Sequence, residues 1–199
     1  KYQKLKTIKM KTIKTKTTKT IKLLAILFIS SLVFTSCSDN DDHDHDDDDH
    51  ENELITTVIY TLTNGMDVVT LQFDDLDGEG GAVPEYTISG PLTANTTYTG
   101  VILLENRTEN PAENITDEVE EEADEHEFFY TSGLNIEKTD VDGNGNPLGI
   151  ETTLTTSDAG SDSITIILRH EPTKPNDGTA DNAGGSTDIQ VTFDDVTVE

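Results

Sequence analysis

Apolar and polar residues alternate with a period of two along most of the chain between Leu54 and Val198. The segments LITTVIYTL (54–62) and DVVTLQF (67–73) flank Asn64-Gly65, which suits a tight turn with positive φ, so this region predicts a β-hairpin. Further strands are predicted at 85–92, 97–105, 128–131, 134–138, 150–156, 163–170 and 188–198. Short strands rich in Thr, Val and Ile at this spacing are typical of an all-β antiparallel sandwich.

One segment, NITDEVEEEADEHE (114–127), has the period of a helix instead. Asn114 can cap its N-terminus, and acidic residues follow in the first turn, where the helix dipole favours them. Ile115, Val119 and Ala123 recur at a spacing of four and form one narrow apolar stripe. We therefore predict a single short acidic helix, inserted between strands and packed by that stripe on the sandwich.

The segment LTANTTY (92–98) has a Leu-x-Ala-x-Thr-x-Tyr spacing that resembles the tyrosine corner of fibronectin type III domains. In such corners the tyrosine hydroxyl bonds to upstream backbone and fixes a crossing between sheets. The resemblance implies this role for Tyr98 and an immunoglobulin-like or fibronectin-like sandwich. The chain has no Trp and carries an inserted helix, which departs from that family, so no specific topology is predicted.

The region before the sandwich resembles a secretory signal peptide, which we assign to residues 1–36. Lysines recur through Lys1–Lys22, the apolar run LLAILFISSLVF (23–34) follows, and two small residues end the segment. An apolar run of twelve residues is too short to span a hydrocarbon core of about 30 Å. We expect Met10 to be the true start, because the sequence from there is a complete signal by itself.

The lone cysteine, Cys37, lies at the end of this signal in FTSC (34–37), which resembles the lipobox of bacterial lipoproteins. The resemblance implies that Cys37 is acylated and becomes the mature N-terminus; the alternative is a secreted protein with one spare thiol. Each buried CH₂ of an acyl chain would stabilise membrane attachment by about 0.8 kcal/mol. CSDNDD (37–42) further resembles the acidic export signal of surface lipoproteins of the Bacteroidota, which implies the outer membrane and the cell exterior.

The charge of the chain is segregated at Cys37. Nine of the 13 Lys and Arg precede it and all 40 Asp and Glu follow it, so the remainder carries 4 − 40 = −36. Such a chain repels nucleic acid, which we exclude as a partner, and attracts cations. Ser38–Glu53 has no apolar residue and is predicted to be a disordered tether, which leaves 54–199 as one sandwich domain.

Several segments together resemble a group of small flavobacterial lipoproteins, over Glu51–Glu199. These segments include FDDLDGEGG (73–81), LTANTTYTG (92–100), EEADEHEFFYTSGLN (121–135) and the ending VTFDDVTVE (191–199). Some members of the group carry the label type 1 periplasmic binding fold. That fold needs two α/β lobes, whereas this pattern predicts one β-rich domain, so we expect the label to be a name only.

The tether contains three histidines among acids, at His43, His45 and His50. Imidazole suits zinc and other divalent transition metals, and carboxylates add charge and oxygen ligands. One interpretation is therefore a metal-collecting tail, and the alternative is an acidic spacer whose histidines are incidental. On a continuous helix, Glu122 and His126 would lie one turn apart and could chelate a metal together, although a solvated helix end is the alternative.

A calcium site is a further candidate in DVDGNGNPLGIE (140–151), which fits the ligand pattern of an EF-hand loop. Its oxygen ligands would come from Asp140, Asp142, Asn144 and Glu151. Strands rather than helices flank the loop, so the alternative is a polar hairpin loop, where Asp, Asn and Gly are common anyway. His170 ends a predicted strand and is interpreted as a strand-end residue.

No combination of residues in the sequence indicates catalysis, and we predict that the protein is not an enzyme. The favoured hypothesis is a lipid-anchored surface protein that collects divalent metal through its tail and passes it to an outer-membrane receptor. The alternative is a surface adhesion or assembly module that binds a protein or glycan, with the tail as export signal and spacer. A structural spacer without a ligand is the third possibility.

Overall fold

The computed structural model describes residues 54–78 and 80–199, which form a two-sheet antiparallel sandwich. Its elements, in chain order, are β1 (Thr57–Asn64), β2 (Asp67–Asp74), β3 (Glu85–Ile88), β4 (Thr97–Asn106), β5 (Glu113–Asn114), α1 (Ile115–Glu121), β6 (His126–Ser132), β7 (Asn135–Lys138), β8 (Glu151–Thr155), β9 (Gly160–His170), α2 (Ala180–Ala183) and β10 (Ser186–Val198). The larger sheet has the order β3-β2-β1-β4-β8-β7, with β5 beside β4, and the smaller has the order β10-β9-β6. The predicted all-β class is confirmed.

The predicted hairpin forms as the sequence indicates. β1 and β2 pair antiparallel down to Asn64 opposite Asp67, and Gly65 adopts a φ of 62° in the turn between them. Period-two burial along β1 and β2 places one face of the hairpin in the core.

The core lies between the two sheets. The larger sheet contributes Tyr60, Leu62, Ile102, Leu104 and Leu154, and the smaller contributes Phe128, Ile164, Ile166, Leu168 and Phe193. Burying each such side chain stabilises the fold by about 1.5–3 kcal/mol. The hydroxyl of Tyr60, which lies in this layer, shares a hydrogen bond of 2.7 Å with the Thr152 hydroxyl, so its burial does not leave it unpaired.

The tyrosine corner is present. The Tyr98 hydroxyl accepts a hydrogen bond from the Thr93 backbone N–H at 2.9 Å and donates one to Asp67 Oδ2 at 2.6 Å. Leu92, at the start of the corner, forms a parallel bridge with Val198 at the end of β10. β3 and β4, which flank the corner, both belong to the larger sheet, so the chain does not cross between the sheets here as the resemblance implied; the corner instead joins this sheet to the end of β10 in the smaller one.

The acidic helix is shorter than predicted. Asn114 caps α1 by accepting a hydrogen bond from the Thr116 backbone N–H at 3.1 Å, and Val119 is buried as expected. The helix ends at Glu121, however, so the prediction that it reaches residue 127 was wrong. His126 begins β6 instead, because pairing with β9 outweighs the local helical pattern. Neither helix in the described residues is long and apolar enough to cross a membrane.

Candidate metal centre

Two histidines meet at one end of the smaller sheet. In the antiparallel pairing of β6 with β9, His126 lies directly opposite His170. Their rings stack with centroids 4.7 Å apart and an interplanar angle of 21°. The side chains are only 2% and 13% exposed, so the pair is largely withdrawn from solvent.

The third member of the group is Asp188, which a β-bulge places beside the imidazoles. The register between β10 and β9 shifts between Thr187 and Ile189, where Asp188 is the extra residue. A bulge can redirect a side chain relative to the regular alternation of a strand. Asp188 Oδ2 lies 3.8 Å from His126 Nε2, and Oδ1 lies 4.0 Å from His170 Nδ1.

A glycine allows β10 to start close to the end of β9. Gly185 has a φ of 70°, and a Cβ at this position would overlap the backbone oxygen of His170. An alanine here would be strained in φ and would clash with backbone, which cannot yield as a flexible side chain can. The local sequence therefore permits the close approach that brings Asp188 to His170.

The Asp188 carboxylate lacks hydrogen-bond donors. Its side chain is 4% exposed, and neither oxygen has a hydrogen-bond partner among the described residues. Separations of 3.8 and 4.0 Å exceed the usual hydrogen-bond range, so the imidazoles do not supply the missing bonds. Burial raises the pKa of Asp188, while His126 and His170 act in the opposite direction. An ionised carboxylate in this position is costly unless a cation neutralises it.

The imidazole of His126 is oriented by the helix that precedes it. His126 Nδ1 lies 3.2 Å from the backbone oxygen of Glu122, at the C-terminal cap of α1. A carbonyl oxygen can only accept, so the Nδ1–H group donates to it, and Nε2 is the ring nitrogen that faces Asp188. Metal-binding histidines usually have their second nitrogen fixed in this way.

The spacing of the three side chains suits a small divalent ion. One ligand atom from each of His126, His170 and Asp188 lies within 4.8 Å of the others. Ligands at about 2.0–2.2 Å from a tetrahedral ion are about 3.3–3.6 Å apart. The His–Asp separations of 3.8 and 4.0 Å would therefore have to shorten by about 0.2–0.7 Å, and the two imidazole nitrogens, which lie within 4.8 Å of each other, would have to approach by up to about 1.5 Å. Two imidazoles and a carboxylate are a ligand set for a transition metal ion.

The sequence predicted this group only in part. His126 belongs to it, while Glu122 contributes a backbone oxygen and does not form the predicted one-turn chelate. His170, interpreted as a strand-end residue, and Asp188 were missed. The register of β6, β9 and β10 brings these residues together from positions far apart in sequence, so no local pattern identifies them. Cys37, His43, His45 and His50 lie outside the described residues.

The candidate calcium loop uses its carboxylates internally. Asp140 accepts hydrogen bonds from the backbone N–H groups of Gly149 and Ile150, at 2.7 and 2.9 Å. Asp142 accepts from the backbone N–H groups of Asn144 and Asn146, at 2.9 and 2.8 Å. These bonds shape the loop as a polar connection between β7 and β8.

A lysine ammonium also reaches this loop. Lys174 Nζ lies 3.3 Å from Asp142 Oδ2 and donates to the Ala123 backbone oxygen at 2.7 Å. Burial raises the pKa of Asp142, but hydrogen bonds from Asn146, Asn144 and Lys174 outweigh it and lower the pKa to about 2. Calcium would have to displace these donors. Glu151, the predicted last ligand, is the exposed first residue of β8.

No protein-family model matches the chain, and no curated protein or solved structure matches it either. The site is therefore interpreted from its own geometry.

Proposed function

We propose that this protein binds a divalent transition metal ion through His126, His170 and Asp188 of its sandwich domain. The observation that supports this most directly is the Asp188 carboxylate, buried without a hydrogen-bond donor and facing two imidazoles. A divalent ion bound between them would neutralise the carboxylate and could be ligated by Nε2 of His126, the ring nitrogen that faces Asp188.

The ligand set favours zinc or a neighbouring transition metal over calcium. Calcium and magnesium prefer oxygen ligands, whereas imidazole nitrogen suits zinc, copper, nickel and iron. Two of the three side chains in this group provide nitrogen. The expected ligand is accordingly an ion of the second class, with zinc as the first to test.

We further propose that the protein works at the cell surface. The sequence of Cys37 and its neighbours supports a lipid anchor in the outer membrane, facing outward. The charge of −36 (4 − 40) from Cys37 onward would concentrate cations near the chain. In this proposal His43, His45 and His50 collect metal ions, the sandwich site retains one, and an outer-membrane receptor takes it over.

In this function the protein binds the metal ion without catalysing a reaction. His126 and Asp188 have side chains only 2% and 4% exposed, so an ion can reach them far more readily than a substrate molecule can. A metal held there would contribute to stability, by about 2.7 kcal/mol at a free concentration one hundred times its Kd.

The test is calorimetric titration of Zn²⁺ into the full chain and three variants. The first variant replaces His43, His45 and His50 with Gln, and the other two add Asp188→Asn or Asp195→Asn to it. Asp195 is an exposed residue with a φ of 58°, a conformation that Asn tolerates, so it matches the charge change of Asp188→Asn away from the site.

We expect the tail variant to bind one Zn²⁺ per chain. Adding Asp195→Asn should leave this binding unchanged, whereas adding Asp188→Asn should abolish it. Thermal unfolding without metal would verify that each variant is folded. Equal zinc affinity with Asp188 and with Asn at this position would refute the sandwich site. If the three tail substitutions are enough by themselves to remove zinc binding, the metal site lies in the tail and not in the sandwich.

A second candidate function, adhesion or assembly, is favoured by exposed apolar residues between β2 and β3. Leu76 and Val83 are 56% and 92% exposed and line one shallow groove of about 290 Å³. Large exposed apolar side chains in one place can mark a protein contact. Leu76→Ser with Val83→Ser should then weaken cell-surface association while zinc binding is retained; unchanged association would exclude this face.

A further inference from the structure

His170 lies between two carboxylate environments. Its Nδ1 faces the buried Asp188 carboxylate at 4.0 Å, and its Nε2 faces Glu125 Oε2 at 3.8 Å. The Asp188 side chain is 4% exposed, whereas that of Glu125 is 53% exposed. One imidazole ring therefore separates an inner position, closed from water, from an outer position open to it.

A second glutamate completes the outer position. One ligand atom from each of Glu125, His170 and Glu171 lies within 4.8 Å of the others. The Glu171 backbone N–H donates to the Glu125 backbone oxygen at 2.6 Å, which fixes the start of β6 against the end of β9. The two exposed carboxylates are thus held side by side at the solvent face of His170.

The inner position has limited access of its own. His126 is 2% exposed and stacks against His170, whose side chain is 13% exposed. Glu125 and Glu171 mark the side on which the group reaches water. The unpartnered Asp188 oxygens provide the electrostatic reason for a cation to continue inward from there.

We propose that Glu125, Glu171 and the Nε2 of His170 form an outer station that loads the buried site with metal. This inference rests on the proposed function of His126, His170 and Asp188. A hydrated divalent transition metal ion first exchanges part of its water for the two exposed carboxylates and the outward nitrogen. It then leaves Nε2 for Nδ1 and the other inner ligands, a movement of about 6 Å, which is one ring plus two metal–nitrogen bonds. A neutral imidazole offers one lone pair at a time, so the ring gives up its Nδ1 proton and takes one up at Nε2 by exchange with water during this step.

An entry station has a kinetic signature that a final ligand lacks. A group that helps the ion only on its way lowers the barrier in both directions, so its loss slows association and dissociation by similar factors and leaves the Kd nearly unchanged. A group that ligates the ion in its final position speeds dissociation when it is removed. Distant charge changes only the general attraction of cations, an effect that salt screens.

The experiment is stopped-flow loading of Co²⁺, followed by its visible absorption, with dissociation measured by adding excess chelator. The parent is the full chain with His43, His45 and His50 replaced by Gln. One variant adds Glu125→Gln with Glu171→Gln, and the matched control adds Asp194→Asn with Asp195→Asn, an equal charge change at the second bulge of β10.

We expect the outer-station variant to lose about tenfold in both rate constants, with its Kd within threefold of the parent. The control should keep both rates within twofold. Unchanged rates in the outer-station variant would refute the route, and so would an accelerated dissociation with a weakened Kd, which would make the glutamates final ligands.

Failure of the proposed function would be seen separately. A parent that takes up no Co²⁺, or takes it up equally well after Asp188→Asn, would overturn the inner site and the route together. A parent that loads Co²⁺ in an Asp188-dependent manner, with rates indifferent to Glu125 and Glu171, would overturn the route alone.

Discussion

Removing the hydroxyl of Tyr98 should destabilise the sandwich measurably. Tyr98 is fully buried, and its hydroxyl both accepts from the Thr93 N–H and donates to Asp67 Oδ2. A typical hydrogen bond contributes about 1 kcal/mol, and more when one partner is charged. Because Asp67 is exposed, water can replace the Tyr98 hydroxyl as its partner, so the charge of Asp67 adds little to the cost of losing this hydrogen bond. We expect Tyr98→Phe to lower the free energy of unfolding by about 2 kcal/mol.

The measurement is urea unfolding followed by circular dichroism, with thermal unfolding as a second probe. A loss of this size should lower the Tm by about 4–8 °C in a domain of roughly 150 residues. Tyr86→Phe is the matched control, since Tyr86 is 50% exposed. Asp67→Asn keeps an acceptor for the Tyr98 hydroxyl and should cost less than Tyr98→Phe. If Tyr98→Phe and Tyr86→Phe differ by less than about 0.5 kcal/mol, the hydroxyl does not stabilise the corner.

Three further predictions concern the core and the loop. Gly100→Ala should destabilise by about 1–3 kcal/mol in urea unfolding, because a Cβ there would overlap the Tyr60 ring, whereas Gly143→Ala, with no heavy atom within 4 Å, should have little effect. Burial raises the pKa of Tyr60 to about 12, and its hydrogen bond with Thr152 only partly opposes this. The unfolded chain then loses this proton near pH 10 while the folded chain keeps it, so the stabilisation that Tyr60 contributes should be lost as pH rises from 10 through 12. Absorbance at 295 nm should show one tyrosine ionising late in this range, and Tyr60→Phe should remove that ionisation. Asp142, with a pKa of about 2, should stabilise the fold above pH 3.8 and lose that contribution as pH falls toward 2, and unfolding free energies measured across this range should show a weaker acid dependence in Asp142→Asn.

Local features of the fold could be predicted from the sequence because their causes are local. The Asn64-Gly65 turn, the alternation along β1 and β4, and the Asn114 cap all follow from neighbouring residues. The hydrogen bond between the Tyr98 hydroxyl and upstream backbone was accessible too, because the Thr93 N–H lies only five residues away. Each of these features is confirmed in the structure.

The end of α1 and the grouping of His126, His170 and Asp188 depend on non-local pairing. Nothing in residues 114–127 indicates that the helix should stop at Glu121, because the reason is the partner strand β9. The position of Asp188 was further removed still, since it depends on a bulge in β10 that no local pattern signals. His126, His170 and Asp188 are separated by 44 and 18 residues and share no motif spacing.

In so acidic a chain, a metal-binding motif does not reveal whether a carboxylate is available to a cation, as Asp142 and Asp188 show. Asp142 lies in the best motif of the sequence, yet backbone N–H groups and the Lys174 ammonium already occupy its oxygens. Asp188 lies in no motif, yet its oxygens are buried without a donor beside two imidazoles. A cation gains little by displacing donors that are in place, and gains most where burial has removed water and supplied nothing instead. The physical argument for a metal therefore favours the bulge of β10 over the loop before β8, and it favours nitrogen-preferring metals over calcium.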